Sequence, residues 1–153
     1  TNYLKNRKMS YKKSFEKSKN FKRMALKDKL ILNKKISSLS ILSEQLRKNQ
    51  ETKTKLEQLL LDETKVNTLS SGSMLSSQSW VNNRIRDELK FTTNKCENIQ
   101  EELNTLKKDF SLINRMYEKK REKAKNYAIE GKIKKIEKDD IETMSIRGKI
   151  KGM

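Results

Sequence analysis

The sequence predicts an all-α chain folded as a long antiparallel two-helix coiled-coil hairpin. Three observations predict it. Among 153 residues there is no Pro and only four Gly, and a chain cut into many short elements needs those residues at its turns. Apolar residues recur at alternating three- and four-residue steps on both sides of the midpoint, the spacing of heptads. Between the two runs lies one uncharged, Ser-rich stretch, Asn67 to Ser79, and Ser favours turns and helix caps over helix interiors. The expected layout is a single domain, 1–153, with a helix over about 3–66, a loop over 67–79 and a helix over about 80–146. Charged residues make up 37% and hydrophobic ones 33%, too few apolar side chains for a packed globule but enough for a narrow seam.

In the first helix Leu32, Leu39, Leu42, Leu46, Leu56 and Leu60 follow the heptad steps, interrupted by Lys35, Asn49 and Lys53. The same frame runs back through Ala25, Phe21, Tyr11 and Leu4, with Ser18 and Asp28 as weak points. In the second helix Ile85 and Leu89 lead into Cys96, Ile99, Leu103, Leu106, Phe110, Ile113 and Tyr117, an unbroken run. Ala124 and Tyr127 continue it until Gly131 weakens the pattern. A hairpin folding about Ser73 pairs residue i with roughly 146 − i. Residues 96–117 then face 29–50, where Leu32, Leu39, Leu42 and Leu46 lie. Two independent patterns agree on one register, which favours a hairpin; a parallel homodimer of one bent helix stays open, because periodicity does not name the partner.

Catalysis is not expected. The chain has no His, the side chain that titrates near neutrality, and the single Cys96 therefore has no imidazole to activate it. Its seam position makes it a small buried hydrophobe. Two Ser-x-x-Lys matches, Ser10 to Lys13 and Ser14 to Lys17, are expected by chance in so Lys-rich a chain. No cofactor, metal or small-molecule substrate is expected. The first eight residues lack the apolar core of a signal peptide, and no stretch approaches the ~18 apolar residues of a membrane span. A lone Cys suits a reducing, cytoplasmic setting.

The net charge of +17 is unevenly spread. Residues 1–30 hold 11 basic and 2 acidic side chains, and residues 113–153 hold 13 and 7; residues 31–70 and 71–112 come to +2 and 0. In a hairpin both termini lie together, so the molecule is expected to be a rod with one basic end and a neutral tip. The basic end offers Lys5, Arg7, Lys8, Lys12, Lys13, Lys132, Lys134 and Lys135 for binding a partner. Nucleic acid is the less favoured partner: Arg is scarce, and acids are interleaved with bases in Glu118-Lys119-Lys120-Arg121-Glu122-Lys123, as on a solvated helix face. At the tip, Trp80 is either a hydrophobic plug or, with Arg84, an anchor for a partner.

Local motifs carry a family resemblance. Ser76-Ser77-Gln78-Ser79-Trp80-Val81-Asn82-Asn83 resembles the entry to the second helix in the flagellar export stalk family, FliJ. Glu44-Gln45-Leu46 with the run to Leu59-Leu60 is similar to the end of that family's first helix, and Tyr117 to Lys123 to its charged mid-helix stretch. The tail from Glu137 to Arg147 is loosely like the family's terminal pattern, with Ile141 where an Asp belongs. Arg84, Arg86 and Lys90 interrupt the aromatic and aliphatic face that members present after the loop. The resemblance implies a non-enzymatic stalk of flagellar protein export. Its basic end would enter the hexameric export ATPase, and the rest would contact the export gate membrane protein and export chaperones. That places it in the cytoplasm, peripheral to the inner face of the inner membrane. A stalk of non-flagellar type III secretion, a structural coiled coil, and a basic rod binding nucleic acid remain the alternatives.

Overall fold

The computed structural model describes residues 2–66 and 72–151, with side chains described for 11–62 and 72–148. Two helices account for the described chain: α1, Asn2–Val66, and α2, Gly72–Lys151. They pack against each other as an antiparallel hairpin. The chain divides into two compact units. A terminal unit joins Thr1–Asn33 to Ser111–Met153, and a loop-side unit comprises Lys34–Phe110.

The second helix starts earlier than expected. The stretch 72–79, expected as loop, is the opening of α2, while 67–71 lie outside the described residues. The Ser77 hydroxyl donates back to the carbonyls of Met74, at 3.0 Å, and Ser73, at 3.4 Å. Back-bonding of this kind lets Ser sit inside a helix with its hydroxyl satisfied. Gln78 and Asn82 are half-buried, four and three residues apart on the way to Ile85, so the heptad frame extends through the Ser-rich stretch in polar residues. At the other end α2 continues to Lys151, five residues past the expected stop.

The seam is longer and more polar than the apolar residues alone define. In α1, Ser14, Ser18, Asp28, Lys35, Asn49 and Lys53 are buried or half-buried on the same steps as Ala25, Leu32, Leu39, Leu42 and Leu46. The residues that interrupt the apolar pattern therefore belong to the contact face. In α2, Thr92 lies buried between Leu89 and Cys96, and Lys120, Gly131, Lys134 and Lys138 complete the sequence of inward positions. Ile99 and Leu103 are buried, as is Leu32; Cys96, Leu106, Phe110, Ile113 and Tyr117 are half-buried. A two-helix contact covers only one side of each helix, which is why even good heptad positions keep some exposure.

Within the terminal unit, Ser18 meets Ala124, Phe21 meets Tyr127, and Asp28 meets Lys120. Within the loop-side unit, Lys35 meets Asp109 at 3.4 Å. All four pairs lie close to the register about Ser73. Gly131 shows why one register holds. A Cβ built there would stand 3.2 Å from three atoms of the Phe15 ring, so the missing side chain is the space the ring occupies.

Replacing the buried Leu103 by Ala is expected to destabilise the fold by roughly 2–5 kcal/mol, whereas exposed Lys107→Ala should change stability by about 0.5 kcal/mol or less. Equal effects in chemical denaturation would overturn the seam assignment. Gly131→Leu should cost about 1–3 kcal/mol by overfilling the Phe15 site. Phe15→Ala made in that background should recover part of the loss, and an additive double variant would show that the two positions do not share space.

Candidate functional site

The terminal unit combines an aromatic, polar seam with a strongly cationic surface. Two aromatic pairs lie along its described part. Tyr11 and Phe15 meet edge to face, with ring centroids 6.4 Å apart, and Phe21 stacks on Tyr127 at 5.7 Å. Lysines cover both rings of the stack: Lys17 Nζ lies 5.3 Å from the Tyr127 centroid and Lys123 Nζ 5.6 Å from that of Phe21. Lys138 sits similarly over Tyr11, at 5.7 Å. These cations are attracted by the ring faces while their stems shield apolar edges from water.

Within the terminal unit, the polar groups Ser18, Asp28, Lys120, Lys134 and Lys138 find partners across or along the seam. The Ser18 hydroxyl donates 2.7 Å to the Ala124 carbonyl. Lys120 Nζ donates 2.6 Å to Asp28 Oδ2, with both side chains mostly buried. Lys138, 8% exposed, reaches Glu142 at 3.3 Å one turn on. Lys134 hydrogen-bonds Glu130, and this bond, with a smaller contribution from the Ser14 hydroxyl, holds the Glu130 carboxyl below the usual carboxylate range.

The expected basic-end residues thus fall into three groups. Lys12, Lys13, Lys132 and Lys135 are exposed, with no ion-pair partner among the described residues. Lys134 is a correction: it is half-buried on the seam and engaged with Glu130, so it is not part of a free cationic surface. The side chains of Lys5, Arg7 and Lys8 lie outside the described residues. Counted over the two units, the terminal one holds 24 basic and 9 acidic residues, net +15, and the loop-side one 13 and 11, net +2. Sequence segments gave the trend. What they missed were Lys120 and Lys138, which turn inward; a cation on a heptad step opposite Asp28 or Tyr11 was the available signal.

In the loop-side unit Trp80 is no plug. It is 65% exposed, with the Arg84 guanidinium 5.8 Å from its ring centroid. Its steps from Gln78, Asn82 and Ile85 carry it off the seam. Phe91, equally exposed, lies three turns further along the same outer face. The loop-side surface is otherwise paired in a neutral fashion. Arg47 donates from Nε to Glu44 at 3.0 Å and from a terminal nitrogen at 2.7 Å, holding the Glu44 carboxyl below its usual range.

Among the described residues no group of three His, Cys, Asp or Glu side chains is placed to hold a metal ion. Among the same residues no helix is long and apolar enough to cross a membrane. No protein-family model matches the sequence, and no curated protein or solved structure matches it.

Asp28→Ala is expected to destabilise the chain by roughly 1.5–3 kcal/mol, since it leaves the Lys120 ammonium without its charged hydrogen-bond partner. Asp28→Leu with Lys120→Leu should restore most of that stability. Chemical denaturation of the single and double variants gives the coupling, and a double variant as weak as the single one would show that the pair is not the source of the loss.

Proposed function

We propose that the chain is a non-enzymatic stalk of the flagellar type III protein-export apparatus. Its terminal unit enters the hexameric export ATPase, and the chain couples that ATPase to the export gate and export chaperones, at the cytoplasmic face of the inner membrane. The observation that carries the proposal is the concentration of +15 of the +17 charges in the unit built from both chain ends. An antiparallel coiled coil turns its seam inward and offers its outer faces to a surrounding ring, here many cations interspersed with exposed apolar side chains such as Leu30, Ile133 and Ile136. Flanks rich in unpaired Lys suit a ring lined with carboxylates, because complementary potentials speed encounter and fix orientation. The motifs around Trp80 and from Tyr117 to Lys123 supply the family likeness. Trp80 and Arg84, exposed on the loop-side unit, are the residues available for a gate or chaperone contact.

The test uses the purified export ATPase. The wild-type chain should raise its ATP turnover and favour the hexamer. Reversing Lys12, Lys13, Lys132 and Lys135 to Glu should remove most of that stimulation without unfolding the chain, because all four are exposed. Trp80→Ala should leave stimulation intact. A wild-type chain without effect on ATP hydrolysis that binds DNA tightly with a steep salt dependence would reject the stalk in favour of a nucleic-acid-binding coiled coil.

A further inference from the structure

One flank of the terminal unit is hollow. Ala25 and Ala124 occupy seam positions there, 6% and 2% exposed. Two small residues at one level of a two-helix contact leave little side chain to fill the groove beside it. The groove encloses about 470 Å³. Its floor is apolar, made by the two alanines and the half-buried Tyr117, and Leu26, 59% exposed, stands at its edge. Its rim is cationic: Lys22 and Lys29 from α1, Arg121 and Lys125 from α2, with no carboxylate among the lining residues. Among the described residues Glu118 is the one acid that forms an ion pair with a rim cation, 4.0 Å from Arg121, at the outer limit of such a pair. Lys22, Lys29 and Lys125 have no ion-pair partner among the described residues. The other flank of the same seam differs, since there Glu130 engages Lys134, Ser14 and the field of Lys17.

We propose that this groove is the docking site for an acidic amphipathic helix of a partner protein, which lies along the two arms as a third helix. The fit is one of spacing and of charge. Lys22 and Lys29 are one heptad apart, about 10.5 Å along α1, and Arg121 and Lys125 are one turn apart, about 6 Å along α2. A helix with Glu flanking an apolar stripe repeats at those two intervals, placing carboxylates on both rims and the stripe on Leu26 and the alanines. Small residues on the floor let the third axis approach to the 8–10 Å of ordinary helix packing.

Charge and shape also decide against other occupants. A second copy of this chain would bring the same four cations to the groove. A bilayer would meet the protruding Leu26 but would leave the buried Ala25 and Ala124 uncovered between the charged rims. A duplex would use the cations but not the apolar floor. The inference goes beyond the stalk proposal and does not depend on it. None of the groove residues is altered in the ATPase test, so the two can fail separately.

The experiment measures binding of the full chain to a fluorescent synthetic peptide of about 21 residues, three heptads with Leu at a and d and Glu at e and g. Glu at both flanks keeps the peptide from pairing with itself at neutral pH. Wild-type chain should bind it. The triple variant Lys22→Glu, Lys29→Glu, Lys125→Glu should bind at least about tenfold more weakly, and the corresponding triple Ala variant should fall between. Leu26→Ser should weaken binding several-fold with the salt dependence unchanged. Lys55→Glu, Lys90→Glu and Lys95→Glu in the loop-side unit should have little effect. The proposal is overturned if the triple Glu variant, helical by circular dichroism, binds like wild type, or if the wild-type chain fails to bind. It is equally overturned if poly-glutamate lacking an apolar face competes as well as the peptide, or if a short duplex DNA or phosphatidylglycerol vesicles outcompete the peptide at this site. Self-association of the free chain abolished by the same triple variant would also overturn it, in favour of a second copy.

Discussion

Everything in this chain depends on a single contact face per helix. Two helices in a hairpin have one seam between them, and no side chain can be enclosed on all sides. Among the described residues none of the large side chains is fully buried. Stability must then be gathered layer by layer along the seam, and each layer matters for register as well as for burial. A uniform Leu seam would allow the arms to slide by a heptad with little penalty. The terminal unit prevents this with pairs that fit only once: Phe15 on Gly131, the Ser18 hydroxyl on the Ala124 carbonyl, and Asp28 on Lys120. A slip of one heptad would set Phe15 against a side chain and leave Asp28 and Lys120 each mostly buried without a partner. Such pairs add little net stability over apolar ones; their contribution is to make one alignment better than its neighbours.

The same constraint sorts the lysines. With one seam and much Lys, some cations must lie on heptad steps. Lys120 and Lys138 do, and the structure gives them Asp28, Glu142 and the Tyr11 ring. Lys17 and Lys123 flank the Phe21–Tyr127 stack. Lys120 and Lys138 are thereby engaged inside the seam, while Lys17 and Lys123 remain exposed over their rings. The remaining exposed cations, Lys12, Lys13, Lys132 and Lys135 among them, have no ion-pair partner among the described residues. The inward cations and this exposed set can be mutated separately.

The apolar half of the fold was legible in the sequence because heptad spacing is a property of residue type and order alone. Leu32, Leu39, Leu42 and Leu46 against 96–117 predicted both the antiparallel pairing and its register. The polar half was not legible, for a physical reason. Ser18, Asp28 and Gly131 look like flaws when apolar residues are counted, and each becomes favourable only through a residue about a hundred positions away. The same holds for the start of α2, where the Ser-rich stretch from Gly72 is helical, with the Ser77 hydroxyl satisfied by the preceding turn and the seam continued in polar residues at Gln78 and Asn82. Trp80 was legible only as two alternatives, plug or anchor, and the structure removes the first. Hydrophobicity does not separate the two, whereas its place in the frame puts it on the outer face beside Arg84.

The charge asymmetry bears on what the excess of Lys is for. A drift in composition that favours Lys codons acts along the whole chain, and the two units are nearly equal in length. Yet the loop-side unit balances its 13 bases with 11 acids, whereas the terminal unit sets 24 against 9. Self-repulsion in a unit so charged opposes its folding, and the seam offsets that with two aromatic contacts, a buried ion pair and a close glycine-to-ring approach, all within the same unit. A unit whose seam is reinforced where its surface repels itself is built to hold that charge in place. The seam contacts thus offset, within the same unit, part of the repulsion that its 24 basic and 9 acidic residues create.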